Sequence, residues 1–96
     1  MLDITRIEEL NATEKKSLLE VALKLSEEVG EVSQAVLSSQ GASGASYKNL
    51  SLVDVQEESV DVVICALSAF FKAGGDTRSL QTLIEKKCQK WAANQL

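Results

Sequence analysis

Val60-Asp61-Val62-Val63-Ile64-Cys65-Ala66-Leu67-Ser68-Ala69-Phe70-Phe71 is the stretch on which the whole chain turns. It is apolar nearly all round, and such a helix is expected to be covered on every side. Asp61 is its only charge. An unpaired buried carboxylate is destabilising or is forced to protonate. The pattern therefore predicts a buried Asp61 that needs a basic partner or a metal. Glu58 lies one turn away on the same face and sharpens that need. Asp54, Glu58, Asp61, Cys65 and Ser68 form one narrow polar-to-small stripe.

The helix around this stretch is predicted from about Leu52 to Ala73. Ser51 and Asp54 have capping-box spacing at its start. Gly74-Gly75 terminates it. Asp76 then caps a last helix through about Ala93, with Leu80, Leu83, Ile84, Cys88 and Trp91 on roughly one side. Upstream, Leu18, Ala22, Leu25, Val29, Val32 and Val36 recur at steps of four and three. That stripe predicts a helix reaching about Ser39. Asn11 and Glu14 mark its expected start. Asp3 to Leu10 is expected to form a short leading helix with Thr5 and Glu8 as a capping box. Gly41 to Ser46 reads as a mobile loop and a lid. The expected fold is all-α: a helical bundle of three main helices plus a short N-terminal helix, completed by oligomerisation.

The first long helix carries a second acidic pair, Glu28-Val29-Gly30-Glu31, with Glu27 ahead of it. It matches Glu58-Ser59-Val60-Asp61, which has Glu57 ahead. Residues three apart share a helix face. Antiparallel packing of the two helices would bring four carboxylates together. Their mutual repulsion calls for a cation. The chain has no histidine, so a hard, oxygen-loving ion such as Mg²⁺ is expected, with Mn²⁺ able to substitute. A buried salt bridge to Lys24 or Lys86 is the structural alternative. Gly30 is unfavourable in a helix interior and predicts close approach by a backbone or a ligand.

Composition narrows the classes. The chain has 96 residues, 45% of them hydrophobic, no proline and a net charge of −4. That length fits one domain, 1–96. Acidic balance without a basic patch argues against nucleic acid. Reserving Glu28, Glu31, Glu58 and Asp61 for cations leaves the remainder neutral. The apolar run is too short to span a bilayer, and no signal peptide is evident. Cys65 and Cys88 form no zinc motif and read as reduced thiols. The expectation is a cytoplasmic protein without membrane or nucleic-acid partners.

Lys24-Leu25-Ser26-Glu27-Glu28-Val29-Gly30-Glu31-Val32 and Glu57-Glu58-Ser59-Val60-Asp61-Val62 together resemble the two signatures of the MazG-like, all-α nucleoside triphosphate pyrophosphohydrolases. The resemblance covers about Leu18 to Trp91. It implies one catalytic module that hydrolyses (deoxy)nucleoside triphosphates to the monophosphate and pyrophosphate, in nucleotide-pool house-cleaning. It implies Mg²⁺ on Glu28, Glu31, Glu58 and Asp61, with Glu27 orienting or deprotonating the water. Lys86, Lys87 and Lys90 would meet the phosphates, and Trp91 or Tyr47 would stack on a base. Downstream the chain departs from the family: no asparagine occurs in the last helix before Asn94. A homodimer or homotetramer is expected. The rival is a non-enzymatic helical dimerisation module. A di-iron carboxylate oxidoreductase ranks below both, because such sites use Glu-x-x-His.

Overall fold

The computed structural model describes residues 3–95. Four helices run in order: α1 (Ile4–Ala12), α2 (Leu18–Ser39), α3 (Leu52–Lys72) and α4 (Thr77–Asn94), with a short 3₁₀ turn at Ser46–Lys48. No strand occurs among the described residues.

Local chemistry fixes the helix ends. Asp3, not Thr5, caps α1 and accepts from the Arg6 amide at 3.0 Å. Asn11 lies inside α1 rather than starting a new helix. The next start is Ser17, whose hydroxyl accepts from the Glu20 amide at 3.1 Å while Glu20 accepts from the Ser17 amide at 3.0 Å. This reciprocal pair satisfies two otherwise orphaned N–H groups. Asp54 accepts from the Ser51 amide at 2.8 Å at the head of α3. α3 ends where Gly74 takes a φ of +99°, a conformation that favours glycine. Gly75 follows because a Cβ there would overlap the Phe70 ring. Asp76 caps α4 through the Ser79 amide at 2.7 Å.

α2 and α3 form the principal helix pair. Val29 and Val32 meet Ser59 and Val62, while Val21 and Lys24 meet Cys65 and Ser68. Later residues of α2 thus face earlier residues of α3, and the pair is antiparallel. Val21, Ala35 and Leu67 are buried, and Ala45 from the connecting loop is buried too. That loop is tied down: the Leu50 amide donates to the Ser38 hydroxyl at 2.9 Å, and Lys48 donates to Gln34. α1 packs on α3, and Ser68 donates to the Asn11 side chain at 2.5 Å.

α4 meets the rest of the fold chiefly at α1. Glu8 accepts from the amide and the hydroxyl of Thr77, and Leu80 is buried. Beyond Leu80 every residue from 81 to 95 is exposed. The expected apolar stripe exists but is uncovered: Leu83, Ile84 and Trp91 face outward. The expected all-round burial of Val60–Phe71 also fails within one protomer. Val60, Val63 and Ile64 are about half exposed, and Asp61 is exposed.

The dimensions carry the same message. The radius of gyration is 15.8 Å, against about 12.5 Å for a compact chain of this length. The accessible surface is 7221 Å², roughly 1,800 Å² more than a folded monomer of this mass exposes. No helix among the described residues is long and apolar enough to cross a membrane.

Candidate functional site

Facing positions in the middle of α2 and α3 bring three carboxylates together. Glu28, Glu31 and Glu58 each place an oxygen within 4.8 Å of the other two. Glu28 is only 7% exposed. Glu28 and Glu31 share a face because they are three apart, and Glu58 reaches across from the antiparallel partner. Asp61 lies outside this cluster. The burial predicted for Asp61 assumed a covered α3; its face is open instead. Glu27 is exposed and points off the cluster's edge, 3.6 Å from Lys24.

Lys24 supplies the positive charge at the rim. Its ammonium lies 3.1 Å from Glu28 Oε1, an i,i+4 pair on α2. This is the salt bridge weighed as an alternative to a metal, and it satisfies one oxygen. It does not satisfy the site. Glu28 Oε2 and Glu58 Oε2 are both buried and lack any hydrogen-bond partner. Buried polar atoms are nearly always paired, so these two oxygens are exceptions within the fold.

Protonation follows from the geometry. Lys24 holds the Glu28 carboxyl below its ordinary value, helped by a hydrogen bond from Glu31 and opposed by burial. Glu31 goes the other way. A proton on Glu31 can be shared with Glu28 first and Glu58 second, and their negative charges add to the effect. The group is pushed up to about 6. Three acids this close cannot all ionise easily without a cation.

The donor set fits a hard divalent ion. It is all oxygen, and two of its atoms are unclaimed. An octahedral shell with ~2.1 Å bonds spaces its ligands by ~3.0–4.2 Å. Carboxylates already within 4.8 Å need only side-chain rotation to close on it. No family model matches the chain, and no curated protein or solved structure resembles it detectably.

The remaining residues singled out in the sequence fall elsewhere. Lys86, Lys87 and Lys90 line a separate cavity with Leu83 on the outlying part of α4. None of them contributes to the electrostatics of Glu28 or Glu31. Tyr47 and Trp91 are exposed, at 77% and 66%. Gly30 has open space where its Cβ would be, so no backbone within the protomer requires the glycine. Lys16 was not anticipated. It lies between α1 and α2 and lines a cavity with Lys24, Cys65 and Ser68. Lys24 was visible in advance through its i,i+4 spacing to Glu28. Lys16 has no periodic relation to the acids and gave no such signal.

Proposed function

We propose that the chain is a divalent-cation-dependent nucleoside triphosphate pyrophosphohydrolase of the MazG-like kind, active as a homo-oligomer. The observation that carries this is the pair of buried, partnerless oxygens on Glu28 and Glu58, beside Glu31. A proton held on Glu31 serves at most one of these oxygens at a time, whereas a divalent cation would serve both.

Glu28, Glu31 and Glu58 would hold Mg²⁺ or Mn²⁺. Asp61, one turn beyond Glu58, would join them by rotation of its exposed side chain. The cation would supply charge neutralisation for the triphosphate and activate a water. The water oxygen forms a bond to the α-phosphorus. The bond from that phosphorus to the α,β-bridging oxygen breaks, and its electron pair leaves with pyrophosphate. Glu27, next to Glu28 in the chain, would accept the water's proton.

Oligomerisation belongs to the same reading. The surplus of roughly 1,800 Å² per protomer matches what an obligate dimer buries on each side. Val60, Val63 and Ile64 on α3 and Leu83, Ile84 and Trp91 on α4 are the apolar residues awaiting cover. A second copy would complete the bundle and enclose Asp61.

A panel of ribo- and deoxyribonucleoside triphosphates with Mg²⁺, assayed for pyrophosphate release, tests the activity. Turnover is expected with at least one of them, and Glu58→Gln should abolish it with the helical signal retained. No turnover by a well-folded oligomer would favour the dimerisation module, and release of orthophosphate alone would overturn cleavage between the α- and β-phosphates.

A further inference from the structure

Beside the acidic cluster lies a cavity of about 130 Å³, lined by Glu14, Lys16, Val21, Lys24, Cys65 and Ser68. One water needs only ~10–15 Å³ of such space, so a multi-atom ligand fits. Lys24 belongs to both places: it lines the cavity and bonds Glu28. An occupant of the cavity therefore sits within one side chain of the carboxylates.

The cavity's wall sets two ammonium groups, Lys16 and Lys24, against one carboxylate, Glu14. Lys16 makes no ion pair among the described residues; the two that exist both belong to Lys24. The acid in the wall, Glu14, is already engaged: its carboxylate accepts from the Lys16 amide at 3.1 Å, and its carbonyl accepts from Lys72 Nζ at 2.9 Å. Glu20, nearby, accepts from the Ser17 amide and feels the positive charges of Lys16 and Lys72. The Cys65 thiol registers the boundary. Burial and the charges of Glu28 and Asp61 push it up, while Lys24 and Lys16 pull it down. Cys65 thus stands between the acids and the bases.

We propose that this cavity is an anion subsite in which Lys16 and Lys24 hold the terminal phosphates of the substrate and then the pyrophosphate product. The assignment rests on the hydrolase reading above and deepens it. It moves phosphate recognition from the lysines of α4 to the junction of α1, α2 and α3. Ammonium groups suit this task as point charges on flexible stems. The β- and γ-phosphates lie toward Lys16 and the α-phosphate toward Glu28 and Glu58, so the scissile bond falls at the acids.

The probe is inorganic pyrophosphate, titrated into the full chain by calorimetry without added metal and again with Mg²⁺. Lys16 is exposed and outside any helix, so Lys16→Ala leaves the fold intact. Pyrophosphate affinity should fall about tenfold in Lys16→Ala, the scale of one charge-assisted hydrogen bond. Lys16→Arg should retain most of it, and Lys90→Ala should match the wild type. In turnover, Lys16→Ala should raise KM with kcat within about twofold, as expected when binding shared by ground and transition states is lost. Pyrophosphate should also slow maleimide labelling of Cys65 and leave the exposed Cys88 unaffected. Equal affinity in wild type and Lys16→Ala, with no protection of Cys65, overturns the subsite even if the enzyme turns over. Lys16-dependent pyrophosphate binding by a protein that hydrolyses no nucleotide overturns the hydrolase and leaves the subsite standing.

Discussion

α3 and α4 are similar in length and both begin on clear local signals, yet only one is embedded in the protomer. α3 lies against α2 and α1 and carries buried Leu67. α4 is anchored by Thr77 and Leu80, and its remaining turns, about four, are bare. A long helix with exposed leucine, isoleucine and tryptophan on one face is not stable by propensity alone. What separates the two helices is the identity of the cover. α3 is covered by its own chain on one side, whereas α4 beyond Leu80 has no cover among the described residues.

The largest expected effects come from removing apolar side chains on the two helices. Leu67→Ala should destabilise by ~2–5 kcal/mol, as buried leucines do, at any protein concentration. Trp91→Ala would be near-neutral, within ~0.5 kcal/mol, on a free surface. Under a second copy it should lower stability by ~3–5 kcal/mol, and the stability of the wild type should itself fall on dilution, because an oligomer's stability depends on protomer concentration. Sedimentation velocity and chemical denaturation at two concentrations decide between these. A monomeric wild type with an unaffected Trp91→Ala would make α4 an independent arm.

The second contrast sets the acidic cluster against the open face of α3. Metal should stabilise the folded protein by ~2.7 kcal/mol at a hundredfold excess over Kd, read as a rise in Tm with Mn²⁺ or Mg²⁺. Glu58→Gln should erase that rise and should not reduce the metal-free Tm, since it removes a bare buried carboxylate oxygen from a crowded site. A rise that survives Glu58→Gln would place the ion elsewhere.

A smaller effect follows from protonation. The Glu31 proton, held up to about 6, must leave before the carboxylate binds a cation. Metal affinity should therefore drop about tenfold from pH 7 to pH 5. In the metal-free protein the sign reverses. The folded state keeps this proton where the unfolded chain has lost it, so Glu31's contribution to stability is full below its ordinary value of 4.5 and is lost as pH rises through about 6. Titration of metal binding at the two pH values measures the first, and melting of Glu31→Gln against wild type between them measures the second.

The sequence made some of this legible and hid the rest for physical reasons. Gly74-Gly75 and Asp76 are local signals, and the ends of α3 and the start of α4 fall where they predict. The start of α2 was displaced because Asn11/Glu14 and Ser17/Glu20 have the same spacing. Spacing alone cannot say which pair caps, and the helix begins where Ser17 and Glu20 satisfy each other. Three of the four predicted acids converge because α2 and α3 pack antiparallel with their acidic pairs at facing positions. Asp61 does not, because an apolar pattern records that a face is to be covered without recording by which chain. Lys16 is beyond periodic reasoning altogether: it reaches the cavity through the path of a five-residue connection.

The smallest effect tests whether α4 folds with the pair or apart from it. Ser17 and Asp76 use the same device, each accepting from the amide three residues on. Ser17→Ala should lower the stability of the whole protein by ~1 kcal/mol, because α2 cannot fray without opening the core. Asp76 is held below its ordinary pKa by the Ser79 amide, so its contribution is present above that value and lost as pH falls through the depressed one. If a second copy covers α4, Asp76→Ala should shift the global unfolding transition as Ser17→Ala does. If α4 is an uncovered arm, Asp76→Ala should leave that transition in place and speed amide exchange only from Arg78 onward. Hydrogen exchange resolved by helix reads the two outcomes directly, since exchange through local opening and exchange through global unfolding have different free energies.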